Sequence, residues 1–375
     1  MRHYRRCMAH LGYDRANLWS GDAPLVGTTA PGSVVPATTQ GTAHDARSIV
    51  ATLALGAAVG LGVASMLPDY LSGSSIASSP DLVVAHAIPL GGWLLAAALV
   101  ATSRLGARRI GSLLGLGIGV VELGLLLSDA GTVFAGGAHV GGAGLVLASL
   151  EWLLATGASA LVASSSGALS GFRDRRRDED RRSTRHEPAP AGRLGHKKAT
   201  TAAGILAALA TAGLYAPPWD RLVVELVAVG RTTVVTAGNA FANPAPVIAG
   251  NVVVMVSLVA LPLVALSARS RRLGGAMLAG GVVAATSQVA SALVQWREPV
   301  PPGEFGLSTP AAVAAGFHVS SGFTPVFYLF SAAVAVLAVV AVLDLVDRSG
   351  QRMPPPLAAV PDVAPRRAFS PTPHY

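Results

Sequence analysis

Two glutamates lie inside long apolar stretches of the sequence, where an ionised side chain is costly. Glu122 and Glu151 each stand among Leu, Val, Gly and Ala residues, in stretches long enough to cross a bilayer. Acidic residues in such surroundings are rare and mark ion or proton pathways. If adjacent helices bring both carboxyls into one pocket, the two groups can stay neutral or exchange protons. The two glutamates are therefore candidates for a proton or cation site; the alternative, which we favour from the sequence, is a protonated side chain hydrogen-bonded to backbone or serine.

Three histidines form a second group of candidates, for a metal ion or a haem. His86, His139 and His318 lie near the ends of apolar stretches, on the same predicted side of the membrane. Imidazole is a common metal ligand and an axial haem ligand. Histidines at the outer ends of a half's second and fourth helices resemble the arrangement in haem A synthases, which implies haem binding. Asn251 lies where the second half would need a histidine, however, and that family's loop motifs are missing. We expect these histidines to cap helices, and we predict no cofactor.

Eight apolar stretches must position these residues as membrane helices. A spanning helix needs about 20 mostly apolar residues. The predicted spans are Ser48–Leu67, Leu82–Thr102, Ile110–Ser128, Val140–Ala163, Ala199–Ala216, Val247–Ser267, Leu273–Val294 and Thr324–Leu345. The predicted fold class is therefore an all-α polytopic membrane protein with eight transmembrane helices.

The composition also indicates a membrane protein. Of the 375 residues, 51% are hydrophobic and only 13% are charged, whereas a soluble domain usually carries about 25% charged residues. The net charge of +8 does not indicate nucleic acid, because the basic residues stand in short runs between the apolar stretches. With a cytoplasmic N-terminus, 25 of the 28 Lys and Arg residues face the cytoplasm, all except Arg221, Arg231 and Arg297. This bias follows the positive-inside rule, and it predicts a plasma-membrane protein with both termini in the cytoplasm.

The eight helices divide into two halves that share landmarks in the same order. The matched segments are Pro68-Asp69 with Pro218-Trp219-Asp220, Arg108-Arg109-Ile110-Gly111 with Arg271-Arg272-Leu273-Gly274, and His139-Val140 with His318-Val319. We therefore predict two tandem four-helix repeats, which insert the same way up because each has an even number of helices. Substrate sites are often found between such repeats. The alternative is a fused homodimer that retains only the packing between its halves.

These repeats set the predicted domain organisation. The segments are a disordered cytoplasmic N-tail over 1–47, a first repeat over 48–166, a charged cytoplasmic linker over 167–198, a second repeat over 199–346 and a Pro-rich cytoplasmic C-tail over 347–375. Within the second repeat, Pro217–Pro246 separates apolar from charged residues on a helical wheel, which predicts an amphipathic helix on the outer membrane surface; the alternative is a re-entrant hairpin. At the depth of the two glutamates the second repeat offers Thr286, Ser287 and Gln288, so the predicted site is asymmetric.

Small residues on the third predicted helix indicate how the helices pack. Gly111, Gly115 and Gly119 recur every four positions. Rows of small residues allow membrane helices to approach each other closely. We therefore predict that this row is a packing ridge.

No sequence signature indicates an enzyme. The chain lacks a P-loop, an HExxH zinc motif and a GxSxG nucleophile elbow. We predict a non-enzymatic scaffold or accessory subunit of a cell-envelope complex, which contacts the lipid bilayer and a membrane-protein partner or a second copy of itself. The alternatives are a small-solute or ion transporter that uses Glu122 and Glu151 at the repeat interface, and a haem- or metal-binding redox protein.

Overall fold

Helices make up most of the chain. The computed structural model describes residues 39–71, 73–135, 140–169, 191–268, 270–305 and 307–347. Most of the predicted N-tail, linker and C-tail lies outside these residues, as does His139. The described residues therefore cover the membrane region and its connections.

Eight long helices lie at the positions of the eight predicted spans. They are α1 Thr39–Ser65, α2 Pro80–Ala101, α3 Leu105–Phe134, α4 Ala143–Ser165, α5 Ala191–Tyr215, α6 Ala245–Ser267, α7 Arg271–Gln295 and α9 Pro325–Val346, with a short helix, α8 Thr309–Ala314, before the last. The main differences from the prediction are that α1 and α5 begin earlier and that α3 extends further at both ends.

Six of these helices are long and apolar enough to cross a membrane, namely α2, α3, α4, α6, α7 and α9. The apolar part of α1, Ile49–Ser65, is shorter than these. Large apolar side chains are exposed on the outer faces of the helices, among them Leu95, Leu153 and Val256. A helix that is apolar on every face suits a lipid environment. The chain is therefore a helical membrane protein.

Helices α3 and α7 occupy the centre of the bundle. α3 packs against α2, α4, α6 and α7, while α7 packs against α2, α3, α6 and α9. The two central helices cross at Gly117 and Gly280, where a Cβ atom on either glycine would collide with the backbone of the other helix. α1 packs against α2 and α4. Leu55 of α1 lies in one buried cluster with Trp93 of α2 and Ala158 of α4. α5 joins α6, α7 and α9 in a second buried cluster.

Short strands follow the first and fifth helices. β1 Asp69–Leu71 pairs with β2 Ser74–Ser75, and Leu71 also bridges to Gly141 just before α4. β3 Asp220–Leu226 lies between β4 Arg231–Ala237 and β5 Phe317–Phe323 in an antiparallel sheet with the order β4-β3-β5. β5 leads directly into α9.

The prediction of an amphipathic surface helix within Pro217–Pro246 was wrong, because β3 and β4 form a hairpin there. β3 contains two Val residues, and β4 contains two Val and three Thr; the branched side chains of these residues favour an extended backbone. Gly230, at φ 59°, supplies the left-handed residue at the turn. β3 also pairs with β5, which is distant in sequence, and this pairing completes the sheet. The hydrogen bonds between strands therefore decide the structure of this segment, and its helical-wheel pattern does not.

The two ends of the bundle differ in chemistry. The end that carries the five strands of the described chain is called the strand end below. The opposite end, called the basic end, carries Arg104 just before α3, Arg108 and Arg109 near the start of α3, and Arg271 and Arg272 at the start of α7.

Candidate acidic cavity

A cavity of about 230 Å³ lies among α2, α3 and α4, towards the strand end of the bundle. β1, α5 and α7 contribute the remaining wall. The polar lining consists of Tyr70, His86, Glu122, Ser128, Asp129, Glu151, Tyr215, Gln288 and Ser291, and two tryptophans, Trp93 and Trp152, also face it. Within the described chain, no Lys or Arg lines this cavity. The cavity is therefore acidic, and both halves of the chain contribute to it.

Glu122 and Glu151, the two glutamates singled out from the sequence, both line this cavity because α3 and α4 are neighbours. Glu122 Oε1 is buried and has no hydrogen-bond partner among the described residues. Glu151 packs against α1, so that a methyl group at Gly62 would lie 2.6 Å from Glu151 Oε1. A buried polar atom without a partner is costly. The arrangement therefore favours a proton, water or ligand at Glu122.

A third carboxyl, that of Asp129, also lines the cavity and was missed by the sequence prediction, which ended the third span at Ser128. Asp129 follows Glu122 by seven residues, two helical turns closer to the strand end and on the same face of α3. Tyr70 donates a hydrogen bond to Asp129 Oδ2 across 2.6 Å. Burial, together with the negative charge of Asp129, raises the pKa of the Tyr70 hydroxyl, which keeps it a donor. The seven-residue spacing of two acids was the signal that could have found this residue.

Of the predicted histidines that the structure describes, only His86 lines the cavity. Its Nδ1 donates to the Leu82 carbonyl at 3.0 Å, and its ring meets Tyr70 edge-on with centroids 5.2 Å apart. His318 lies in β5 rather than at a helix start, is exposed, and pairs in register with Glu225. The structure therefore does not bring His86 and His318 together. Among the residues described, no three His, Cys, Asp or Glu side chains form a set that could hold a metal ion.

Several hydrogen-bond donors around the cavity are engaged by other groups of the protein. Trp152 Nε1 donates to the Gly119 carbonyl at 2.8 Å. The hydroxyls of Ser128 and Tyr215 both donate to Asn251 Oδ1, at 3.3 and 3.4 Å. These bonds join α4 to α3, and they join both α3 and α5 to α6. They also occupy hydrogen-bond donors that could otherwise bind a ligand.

The glycine row of α3 faces two neighbouring helices. Gly111 packs against the backbone of α2, whereas Gly115 and Gly119 pack against the hydroxyl-bearing side chains of Ser159 and Thr156 on α4. The hydroxyl oxygens of Thr156 and Ser159 are buried and find no hydrogen-bond partner in the described chain. These two groups extend a line of buried polar atoms from the cavity towards the basic end.

Aromatic rings fill the core between α5 and α9 in the second half of the chain. Trp219 and Phe330 have ring centroids 4.5 Å apart, and Phe327 and Tyr215 also pack against Trp219. In the first half, the space beside α4 is lined by carboxyls instead. The two halves therefore differ here, with carboxyl groups beside α4 and aromatic rings beside α9.

No family model, no curated protein and no solved structure matches this chain. Three carboxyls and an imidazole, with no Lys or Arg among the lining residues described, provide surroundings suited to binding positive charge or passing protons.

Proposed function

We propose that the protein is a proton-coupled membrane transporter of a small solute or ion, with its site in the acidic cavity between two four-helix repeats. The observation that carries this proposal is Glu122, whose Oε1 is buried at the cavity without a partner in the described chain. Intramembrane carboxyls that bind and release protons or cations are the usual coupling groups of pumps and transporters.

The positions of the polar groups along the helices support movement across the membrane. With a rise of 1.5 Å per residue, Asp129 lies about 8 Å and Glu122 about 18 Å from the strand end of α3. Thr156 and Ser159 lie further towards the basic end, with partnerless buried hydroxyls. A proton or small cation would therefore meet polar groups over a large part of the bilayer thickness.

The architecture that we propose has eight spans, arranged as two parallel repeats. Its first support is a matched pair of hydrogen bonds at the basic end. Arg109 Nε donates to the Ser166 carbonyl at the end of α4, at 2.7 Å, and Arg272 Nε donates to the Leu345 carbonyl near the end of α9, at 3.1 Å. Each arginine is the second of a matched Arg-Arg pair, and the two acceptors stand equally far after the two matched His-Val pairs.

The crossing of the central helices gives a second support. Gly117 follows Arg109 by eight residues, and Gly280 follows Arg272 by eight residues. Residues at equivalent positions of two repeats contact each other only where they lie on the pseudo-two-fold axis that relates the repeats. Gly117 and Gly280 contact each other at the α3–α7 crossing, as such an axis would require. The strands agree, because β1 and β3 each follow the first helix of a half and pair with the segment before its last helix.

The distribution of arginines supports an orientation. The basic end carries the short connections with paired arginines, and such loops face the cytoplasm. We therefore propose that the strand end faces outward and that the cavity lies nearer the outer surface of the plasma membrane.

A reconstituted flux assay tests the transporter. The protein is placed in liposomes that contain a pH-sensitive dye, and proton movement is followed after a pH gradient is imposed. Glu122→Gln should lower the proton flux by about tenfold or more, because an amide of the same shape cannot carry the proton. Glu298→Gln, at an exposed position outside the cavity, is the matched control. Equal flux in wild type, Glu122→Gln and protein-free liposomes would refute the transporter.

The second candidate is the scaffold or accessory subunit, which the edge of the sheet favours. β4 lies at the edge of the order β4-β3-β5, and nearly all of its residues are exposed. It contains one charged residue, Arg231, and no proline, so it has little protection against pairing with another strand. We propose that an extended segment of an envelope protein adds to this edge.

Photo-crosslinking in cells tests the scaffold. A photoreactive residue at Val234 in β4 should cross-link one defined protein, whereas the same residue at Val313, exposed on α8, should not. Glu122→Gln should leave this cross-link unchanged, since it lies in the cavity rather than on the sheet. An absence of cross-links at Val234, or identical products at both positions, would remove the scaffold as a candidate.

A further inference from the structure

We infer that the substrate of the acidic cavity is a small protonated amine, held as an ammonium ion by the carboxyl groups of Glu122 and Glu151. This inference rests on the proposed function and names the substrate class of the same site. Three properties of the cavity support an amine: the balance of its hydrogen-bond donors and acceptors, its size, and its aromatic walls.

The cavity wall presents acceptors while most of its donors are in use. Five lining donors already bond to acceptors of the protein, namely Tyr70, His86, Ser128, Trp152 and Tyr215. In contrast, Glu122 Oε1 has no hydrogen-bond partner among the described residues, and Glu151 brings a second carboxyl group to the same wall. Gln288 and Ser291 complete the polar lining, and both can accept as well as donate. A ligand that satisfies this wall must supply N–H donors and, to match the carboxylates, positive charge.

A proline adds one more acceptor to the wall. Pro89 lies within α2 and has no backbone N–H, so the Ala85 carbonyl lacks the donor that a regular helix would provide. Both residues line the cavity. Irregular backbone of this kind is tolerated in membrane helices where it faces a polar cavity. An ammonium group has three N–H donors, which suits several acceptors at once.

The size and walls of the cavity favour a small organic cation. The volume of about 230 Å³ is many times what a single water molecule needs, so the cavity has room for a small organic molecule. Trp93, Trp152 and Tyr215 form part of the wall. Aromatic rings attract ammonium ions through their electron-rich faces and also cover an alkyl chain.

Other ligand classes fit the same wall less well. An anion would face three carboxyl groups with no Lys or Arg among the described lining residues to offset them. A bare metal ion would need several close ligands, and no such set of His, Cys, Asp or Glu occurs in the part of the chain that the structure describes. A neutral solute would offer the carboxyl groups no positive charge and therefore no charge-assisted hydrogen bond.

The test uses three ligands of similar shape and different charge, with the purified protein in detergent at neutral pH. Titration calorimetry compares n-butylammonium, n-butanol and butyrate. We expect n-butylammonium to bind about tenfold or more tightly than the other two, and Glu122→Gln to remove about tenfold of that affinity, as the loss of a charge-assisted hydrogen bond implies. Gly62→Ala should also weaken binding, because its methyl group displaces the Glu151 carboxyl. Glu298→Gln should leave affinity unchanged.

A second measurement needs no variant and remains informative if Glu122→Gln fails to fold. Dicyclohexylcarbodiimide modifies carboxyl groups in apolar surroundings, and peptide mass spectrometry reports the modification of Glu122 and Glu151. n-Butylammonium should slow this modification in the wild-type protein, and n-butanol should not. If n-butylammonium and n-butanol slow the modification equally, or if neither slows it, the proposal of an amine substrate is overturned.

The outcomes also separate this inference from the proposed function. Proton flux that persists while n-butylammonium neither binds nor protects would reject the amine and leave the transporter standing. If the wild-type protein shows neither proton flux nor amine binding, both the transporter and the amine substrate are rejected. Amine binding with protection of Glu122, together with its loss in Glu122→Gln, would support the ammonium site.

Discussion

The hydroxyl of Tyr70 donates a hydrogen bond to Asp129 Oδ2 across 2.6 Å and so joins a strand outside the helices to a carboxyl inside the bundle. Tyr70 is almost fully buried, and its ring meets His86 edge-on. The same strand is held at the start of α4, where the Gly142 N–H donates to the Tyr70 carbonyl at 3.0 Å. β1 therefore contributes Tyr70 to the cavity wall and holds one of its three carboxyl groups.

Tyr70→Phe tests this relationship. Removing the donor leaves Asp129 Oδ2 without its partner, and losing one side of a buried hydrogen bond costs about 1–3 kcal/mol. We expect the free energy of unfolding in mixed micelles to fall by this amount, while Tyr328→Phe, exposed on α9, should have little effect. A double-mutant cycle with Asp129→Ala measures the coupling between the two side chains. Additive effects of the two substitutions would contradict a direct interaction.

The α3–α7 crossing gives a second prediction. Gly117→Ala and Gly280→Ala each place a methyl group against the backbone of the opposite helix, and overpacking of this kind costs about 1–3 kcal/mol. Thermal unfolding of the purified protein should show the loss for both variants. Gly157→Ala is the control, because no atom lies near its added methyl group. Stabilities within about 0.5 kcal/mol of wild type for both crossing variants would contradict the close approach.

The positions of the long helices could be predicted because apolar runs of about 20 residues leave few alternatives. The shared cavity of Glu122 and Glu151 could also be anticipated, since consecutive helices joined by a short connection are usually neighbours. The end of α3 could not be predicted by hydropathy. An acidic residue normally marks the end of a span, but Asp129 continues the helix because it faces a polar cavity and accepts a bond from Tyr70.

The strands and the role of Tyr70 depend on pairing between distant segments. β3 pairs with β5 although the whole of β4, α6, α7 and α8 lies between them in the sequence. A helical wheel describes one segment at a time and carries no information about such partners. For the same reason His318, predicted at a helix start, proved to be an exposed strand residue.

Asp220 at the start of β3 gives a prediction about pH. Burial raises the pKa of its carboxyl, so the folded protein holds this proton more tightly than the unfolded chain does. The resulting stability is present below the ordinary aspartate pKa of about 3.9 and is lost as the pH rises through the folded value. Asp220→Asn should therefore melt higher than wild type at neutral pH, with a difference that shrinks on acidification.

The measurement for Asp220 is a series of thermal melts between acidic and neutral pH. The expected difference is small, because the side chain is only half-buried. Glu225→Gln, exposed on the same strand, is the control and should follow wild type at every pH. A difference for Asp220→Asn that is constant across the series would show that titration of this group is not its cause.

The ion pair between Arg271 and Asp344 at the basic end gives the last prediction. Arg271 Nη1 lies 3.2 Å from Asp344 Oδ1, and the Asp344 side chain is buried whereas that of Arg271 is partly exposed. Arg271→Met leaves a buried carboxylate without its partner, which should cost about 3 kcal/mol, at the lower end of the range for broken buried pairs because one partner reaches solvent. Arg271→Met combined with Asp344→Leu should recover most of this loss, since an apolar pair no longer buries a charge. Chemical denaturation in mixed micelles measures the free energy of unfolding of the single and the double variant. Arg297→Met, at an exposed site, is the control. If the double variant is no more stable than Arg271→Met alone, the cost comes from the packing of Arg271 rather than from the isolated charge of Asp344.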